Sequence, residues 1–184
     1  MHKRKTIFAV FFSVAVSVGH AADECKSGKG YVTEHGRFTQ THCHENGHPT
    51  RSFLRLDSLK LIEDAQLFLL TSDNSLQRFL YSGGLDRSVA CPKNLYLIDI
   101  SLAAPKVIAF GVEGACPEYH WASWGKKRSV IAIKSNVRFV YENGKLTPPP
   151  KDLALITTIE PPRTGSGIDE KKLQPFVREV SPPK

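Results

Sequence analysis

A chain of 184 residues with 41% hydrophobic residues is the size of one domain that can bury a substantial core. Its formal net charge is +7, and Lys3, Arg4 and Lys5 supply three of these positive charges, so the rest of the chain carries +4. Nucleic-acid-binding proteins usually have a denser basic patch interleaved with aromatic residues. The sequence therefore predicts no nucleic-acid partner.

Residues 1–21 have the three parts of a cleavable secretory signal peptide. A basic stretch, residues 3–5, precedes an apolar run over residues 7–18 and then the small residues Gly19 and Ala21. Spanning a membrane takes about 20 apolar residues, so a retained membrane helix is the weaker alternative. We expect cleavage after Ala21, a periplasmic or secreted protein, and no integral membrane segment once the signal is removed.

All four cysteines, Cys25, Cys43, Cys91 and Cys116, lie after the expected cleavage site. An even number of cysteines in an exported protein predicts two disulfide bonds. Four cysteines allow three sets of pairs. We favour Cys25–Cys43 with Cys91–Cys116, because pairing of nearest neighbours suits a chain that meanders.

Residues 22–147 are predicted to form one mainly β domain. Short apolar runs rich in β-branched and aromatic residues alternate with turn residues. Three pairs of such runs predict hairpins over residues 67–81, 95–110 and 129–141. The expected architecture is an antiparallel meander of hairpins, arranged as a sandwich, a single twisted sheet or a partial propeller-like sheet.

Three other segments of the domain have weaker patterns. Residues 31–40 and 52–56 predict further strands. Residues 59–70 are compatible with either a strand or a helix, because Leu59, Ile62 and Gln66 also share a helical face.

Residues 148–184 differ in composition from the domain, since they hold eight of the twelve prolines. Proline lacks a backbone hydrogen-bond donor, so this Pro-rich C-terminal extension is not expected to supply a central strand. Residues 153–159 are compatible with one edge strand and residues 169–173 with a short turn. The rest is expected to be an extended or disordered tail, which serves as a tether, as a partner-binding arm or as a floppy terminus.

Four of the five histidines that follow the signal lie within fourteen residues, namely His35, His42, His44 and His48. On a strand, His42 and His44 point to the same face, and His48 folds back across an Asn-Gly turn. Three imidazoles in this arrangement suit zinc or copper(II). The spacing matches no established zinc motif, and an oxidised Cys43 cannot add a thiolate, which favours a polar loop pinned by a disulfide. We predict no cofactor, with a zinc or copper site as the alternative.

Both tryptophans of the chain lie in one aromatic segment, together with a tyrosine and the remaining histidine. The candidate partner-binding residues are Tyr119, His120, Trp121 and Trp124. Tryptophan and tyrosine are enriched at binding hot spots, because they combine a large apolar area with a polar group at little entropic cost. Packing of one or both tryptophans in the core is the competing interpretation.

No catalytic motif is present in the sequence. There is no nucleophile elbow, no Cys-x-x-Cys pair and no phosphate-binding glycine loop. An exported, disulfide-pinned β domain of this kind is typical of proteins that bind a partner. We expect a non-enzymatic periplasmic protein-binding module, specifically an inhibitor or immunity-type protein against a toxin or hydrolase acting in the cell envelope. A metal-binding protein that uses the four clustered histidines is the alternative, and a small hydrolase ranks third.

Overall fold

The computed structural model is almost entirely β-structure. It describes residues 24–84, 94–112, 117–134, 137–149 and 175–182. Within these ranges, fourteen strands form three antiparallel sheets, called here sheets A, B and C, and no α-helix occurs. The predicted antiparallel meander of hairpins is confirmed.

Sheet A contains the first five strands in the order β1-β3-β4-β5, with β2 also paired to β3. The strands are β1 (Glu24–Ser27), β2 (Tyr31–Thr33), β3 (Gly36–Glu45), β4 (His48–Leu56) and β5 (Leu59–Asp64). Asn46 and Gly47 join β3 to β4 with φ angles of 52° and 78°. Two consecutive positive φ angles are typical of the type I′ turn that matches the twist of a hairpin.

Sheet B contains five strands in the order β14-β9-β8-β7-β6. They are β6 (Leu67–Asp73), β7 (Arg78–Gly83), β8 (Asn94–Asp99), β9 (Lys106–Val112) and β14 (Pro175–Glu179). The hairpins predicted over residues 67–81 and 95–110 are confirmed as β6–β7 and β8–β9. The ambiguous residues 59–70 form β5 and the start of β6, so the strand interpretation of that segment is correct.

Sheet C contains four consecutive strands in the order β10-β11-β12-β13. They are β10 (Tyr119–Ser123), β11 (Arg128–Ile133), β12 (Arg138–Glu142) and β13 (Lys145–Thr147). The hairpin predicted over residues 129–141 is confirmed as β11–β12. A second Asn-Gly turn, Asn143-Gly144 with φ angles of 52° and 73°, leads into β13.

Sheet B lies between the other two sheets, because alternate residues of its strands enter two different core clusters. On β7, Phe79 and Tyr81 belong to a first cluster shared with sheet A, whereas Leu80 belongs to a second cluster shared with sheet C. Neighbours on a strand point to opposite faces, so this alternation means that both faces of sheet B are covered. Every residue of β7 is accordingly buried. The fold is a sandwich of three layers.

The C-terminal extension returns to the domain through β14. Pro175 is the first residue of this strand, a position where its missing N–H is tolerated. Val177 pairs with Phe110 of β9 and packs against the second cluster, and Val180 packs against the first. The edge strand predicted at residues 153–159 lies outside the described residues, and β14 was not predicted from the sequence.

One of the two predicted disulfides lies within the described residues. Cys25 of β1 and Cys43 of β3 are directly opposite each other, with Cα atoms 4.0 Å apart and their sulfurs bonded. Cys91 and Cys116, and the expected signal peptide, lie outside the described residues. Among the residues that the structure describes, no helix is long and apolar enough to cross a membrane.

Candidate functional site

The aromatic segment predicted to bind a partner forms β10, at one edge of sheet C. Tyr119 and Trp124 pack against the second core cluster, and a bulge next to Tyr119 accompanies the exposed His120. Ala122 also contacts that cluster, so its neighbour Trp121 points to the opposite side of the strand. The four predicted residues are thus divided between the core and the surface, and Trp121 is the half-buried aromatic residue on the outside.

Trp121 belongs to a surface that we call the outer face of sheet C. This surface consists of Trp121, Val130, Ala132, Arg138 and Val140, which are matched across the strands in two rows. The guanidinium carbon of Arg138 lies 5.7 Å from the centroid of the Trp121 ring, within the range of a cation–π interaction. Ala132 lies between them in register and is fully buried, so Trp121 and Arg138 meet above it.

The apolar rows of the outer face are flanked by charge that is mostly positive. Arg128, Glu142 and Lys145 are directly opposite one another on β11, β12 and β13, on the same side as Arg138. The exposed turn at residues 126–127 adds two lysines just before β11. The face therefore combines an aromatic–guanidinium pair, small and β-branched neighbours, and a basic rim that favours a partner with exposed carboxylates.

The predicted histidine cluster lies along the hairpin of β3 and β4. His42 and His44 are half-buried on β3, His48 is exposed next to the turn, and His35 is exposed between β2 and β3. His42 Nδ1 is 2.9 Å from the hydroxyl oxygen of the buried Ser52. Within the described residues, no group of three or more His, Cys, Asp or Glu side chains is arranged to hold a metal ion.

The surroundings of His42 favour its neutral form. Burial lowers the pKa of His42, and the nearby His44 lowers it further. The residues opposite His42 in register are Lys26 on β1 and Ser52 on β4. His42 is therefore a half-buried imidazole within hydrogen-bonding distance of a buried hydroxyl group.

A buried polar network that the sequence analysis missed joins sheets B and C. Arg78 of β7 donates from Nε to Asp99 Oδ2 (3.1 Å) and from Nη1 to the hydroxyl of Ser129 (3.0 Å) and the carbonyl of Gly125 (2.8 Å). The Tyr141 hydroxyl donates to the same Asp99 oxygen at 2.6 Å. A signal was present in the sequence, since Arg78 directly precedes the apolar run of β7 and Asp99 directly follows that of β8.

The network satisfies both oxygens of the buried Asp99 side chain with hydrogen bonds. Asp99 is 1% exposed, and its second oxygen accepts hydrogen bonds from the backbone N–H and the hydroxyl of Ser101. Burial, and then the hydrogen bond to Asp99, raise the pKa of Tyr141 well above its ordinary value, so the phenol remains a donor. Buried charges that are paired and fully hydrogen-bonded hold layers together and are inaccessible to a large partner.

Comparisons with known proteins provide no relative from which a function could be inferred, so the inference rests on the surface geometry. The chain matches no protein-family model, no curated protein and no solved structure. Of the features described, the outer face of sheet C is the one that combines solvent access with residues enriched at protein interfaces.

Proposed function

We propose that this protein is a protein-binding module that docks its partner on the outer face of sheet C. The observation that carries the proposal is the half-buried Trp121 stacked with Arg138 on the solvent side of a rigid sheet. Tryptophan and arginine dominate binding hot spots, and a sheet holds them at little entropic cost. The basic rim of Arg128 and Lys145 adds selectivity for an acidic partner.

The proposed setting of this module is the periplasm of a bacterial cell, after removal of residues 1–21. A disulfide within sheet A and the tripartite N-terminal segment support this setting, since disulfides persist in oxidising compartments. Within it, an inhibitor or immunity-type protein that neutralises an envelope-acting toxin or hydrolase is the specific role that we propose. Cell fractionation and the intact mass of the exported protein test the setting, and retention of residues 1–21 on a cytoplasmic product would contradict it.

The docking surface is tested by substitution of Trp121. The exported protein is used to capture its partner from envelope extract, and the partner is then purified and titrated against each variant. We expect Trp121→Ala to weaken binding by about 30-fold or more, which is the scale of a hot-spot residue. Arg138→Ala is expected to weaken binding as well, and Arg138→Glu to weaken it further if the partner surface is acidic.

Two controls separate loss of binding from loss of fold. Val32→Ala removes an apolar side chain that is 83% exposed on sheet A, and it is expected to leave binding unchanged. Circular dichroism of Trp121→Ala should match that of the unaltered protein, because the ring lies outside both core clusters. Unchanged affinity in both Trp121→Ala and Arg138→Ala would show that this face is not the docking surface.

A further inference from the structure

Two turns of the structure share one sequence and one backbone conformation. Asn46 and Gly47 join β3 to β4, and Asn143 and Gly144 join β12 to β13, with φ angles of 52° at both asparagines and of 78° and 73° at the glycines. Both asparagines are exposed. An asparagine loses its side-chain amide most readily when glycine follows it, because glycine has no side chain to hinder attack by its own backbone nitrogen.

In this reaction, the backbone nitrogen of the glycine attacks Cγ of the asparagine. A C–N bond forms, the side-chain nitrogen leaves as ammonia, and a succinimide ring joins the two residues. Water then adds to one of the two ring carbonyls and opens the ring to aspartate or to isoaspartate, so the reaction needs neither oxidant nor reductant. Ring closure requires rotation of the asparagine backbone, so its rate depends on how readily the turn opens.

The turn at Asn143 is held closed by contacts on two sides. Tyr141 and Leu146, which are paired one step before the turn, are 1% and 6% exposed and belong to the second cluster. Lys106 Nζ donates a hydrogen bond to the carbonyl of Gly144 at 3.2 Å. Opening of this turn would therefore disturb buried core residues and break a hydrogen bond from a charged donor.

The turn at Asn46 lies outside the core. Residues 45–48 are all exposed, and a β-carbon added to Gly47 would meet no described atom within 4 Å. Pro49 has no N–H to donate to the ladder of β3 and β4, and the register of that ladder shifts after Cys43. Hairpin ends that are exposed and irregular open more readily than ends packed on a core.

We propose that Asn46 is a site of spontaneous deamidation, and that Asn143 is protected from the same reaction by the buried ends of its hairpin and by Lys106. Both products carry a new carboxylate at residue 46, and the isoaspartyl product also adds a methylene group to the main chain. A type I′ turn is made of two residues with fixed backbone angles, so the longer main chain loosens the end of the β3–β4 hairpin. Leu54 and Leu56 remain packed in the first cluster, so the fold persists.

Incubation of the purified protein in mildly alkaline heavy-oxygen water tests the proposal, because each deamidation then incorporates one heavy oxygen atom. Peptide mass spectrometry is expected to show that the label enters residue 46 about tenfold or more faster than residue 143. Hydrogen exchange of the aged protein is expected to show lower protection in residues 44–49. Asn46→Gly is the control, because Gly-Gly also suits a type I′ turn and has no side-chain amide, so this variant should keep its protection on ageing.

Lys106→Met tests why the two turns differ. The substitution removes the hydrogen bond to Gly144, and it is expected to raise the rate at Asn143 by about threefold or more while the rate at Asn46 stays unchanged. Equal rates at the two asparagines of the unaltered protein would overturn the proposal, and so would a failure to label residue 46. An unchanged rate at Asn143 in Lys106→Met would refute the protection assigned to Lys106.

Discussion

Asp99 is the residue on which the junction between sheets B and C depends most. Its two oxygens accept hydrogen bonds from the Arg78 guanidinium, the Tyr141 hydroxyl and two groups of Ser101. The guanidinium carbon of Arg78 also lies 5.0 Å from the centroid of the Tyr141 ring. Because one carboxylate satisfies groups from several strands, removal of a single partner leaves other buried polar groups unpaired.

Arg78→Met is expected to lower the free energy of unfolding by about 3 to 5 kcal/mol, because it leaves the buried Asp99 carboxylate without its counter-charge. Urea denaturation at neutral pH measures the effect. Lys26→Met is the control, since Lys26 and Glu24 form an ion pair with both side chains more than two-thirds exposed, and its loss is expected to have no measurable effect. A loss of less than about 1 kcal/mol in Arg78→Met would show that the network contributes little net stability.

For the two tryptophans, the sequence did not predict which side chain packs in the core and which lies at the surface. Trp121 and Trp124 were equivalent candidates for the core and for the surface, because they are the same residue type in the same short segment. Their separation of three residues puts them on opposite faces of a regular strand, which predicts that one is inside. Which one is inside depends on the register with β11, where Ala122 meets Ile131 of the core, and that register is not visible in the sequence.

At the scale of elements, the sequence predicted the long strands of sheet B and missed several short ones, namely the terminal strands β1 and β14 together with β10 and β13. Strands β7, β8 and β9 are marked by apolar runs, and Asn-Gly pairs mark the turns between β3 and β4 and between β12 and β13. Strand β1 has four residues, all exposed, and no apolar pattern, so only Cys25 indicated that it lies beside β3. Strand β14 combines proline with charged residues, and its place beside β9 depends on contacts distant in sequence.

Removal of the disulfide is expected to free β1 while the core stays folded. The bond closes a loop with a sequence separation of 18, and the loop-entropy relation assigns it up to about 3 kcal/mol of stability. We expect Cys25→Ser with Cys43→Ser to lose part of that stability and to lose hydrogen-exchange protection in residues 24–27. Protection in β4 should persist, because Leu54 and Leu56 stay packed in the first cluster. Full protection of β1 without the bond would show that strand pairing alone holds it.

At the scale of the whole molecule, sheet B is the middle layer because both of its faces are covered. The sequence did not predict this order of the three sheets. A strand that is covered on both faces has a continuous apolar run, as in Leu95–Ile98, whereas a strand covered on one face alternates. These runs predicted the hairpins but not which sheet forms the middle layer. The order of layers also depends on pairings such as Tyr96 with Asp64, which join β8 to β5 across the layers at 2.7 Å.

A middle layer shared by two cores is expected to make the protein unfold as one unit. Leu61→Ala, at a fully buried position in the first cluster, is expected to destabilise the fold by about 2 to 5 kcal/mol through the cavity that it leaves. Trp121 lies in β10 of sheet C and Trp124 directly follows that strand, so the fluorescence of the chain's two tryptophans reports on the opposite side of sheet B from Leu61. Because β7 and β8 contribute to both clusters, Leu61→Ala should shift the fluorescence transition and the circular dichroism transition to the same lower urea concentration. A fluorescence midpoint that stays unchanged while the dichroism midpoint falls would mean that the two cores fold independently.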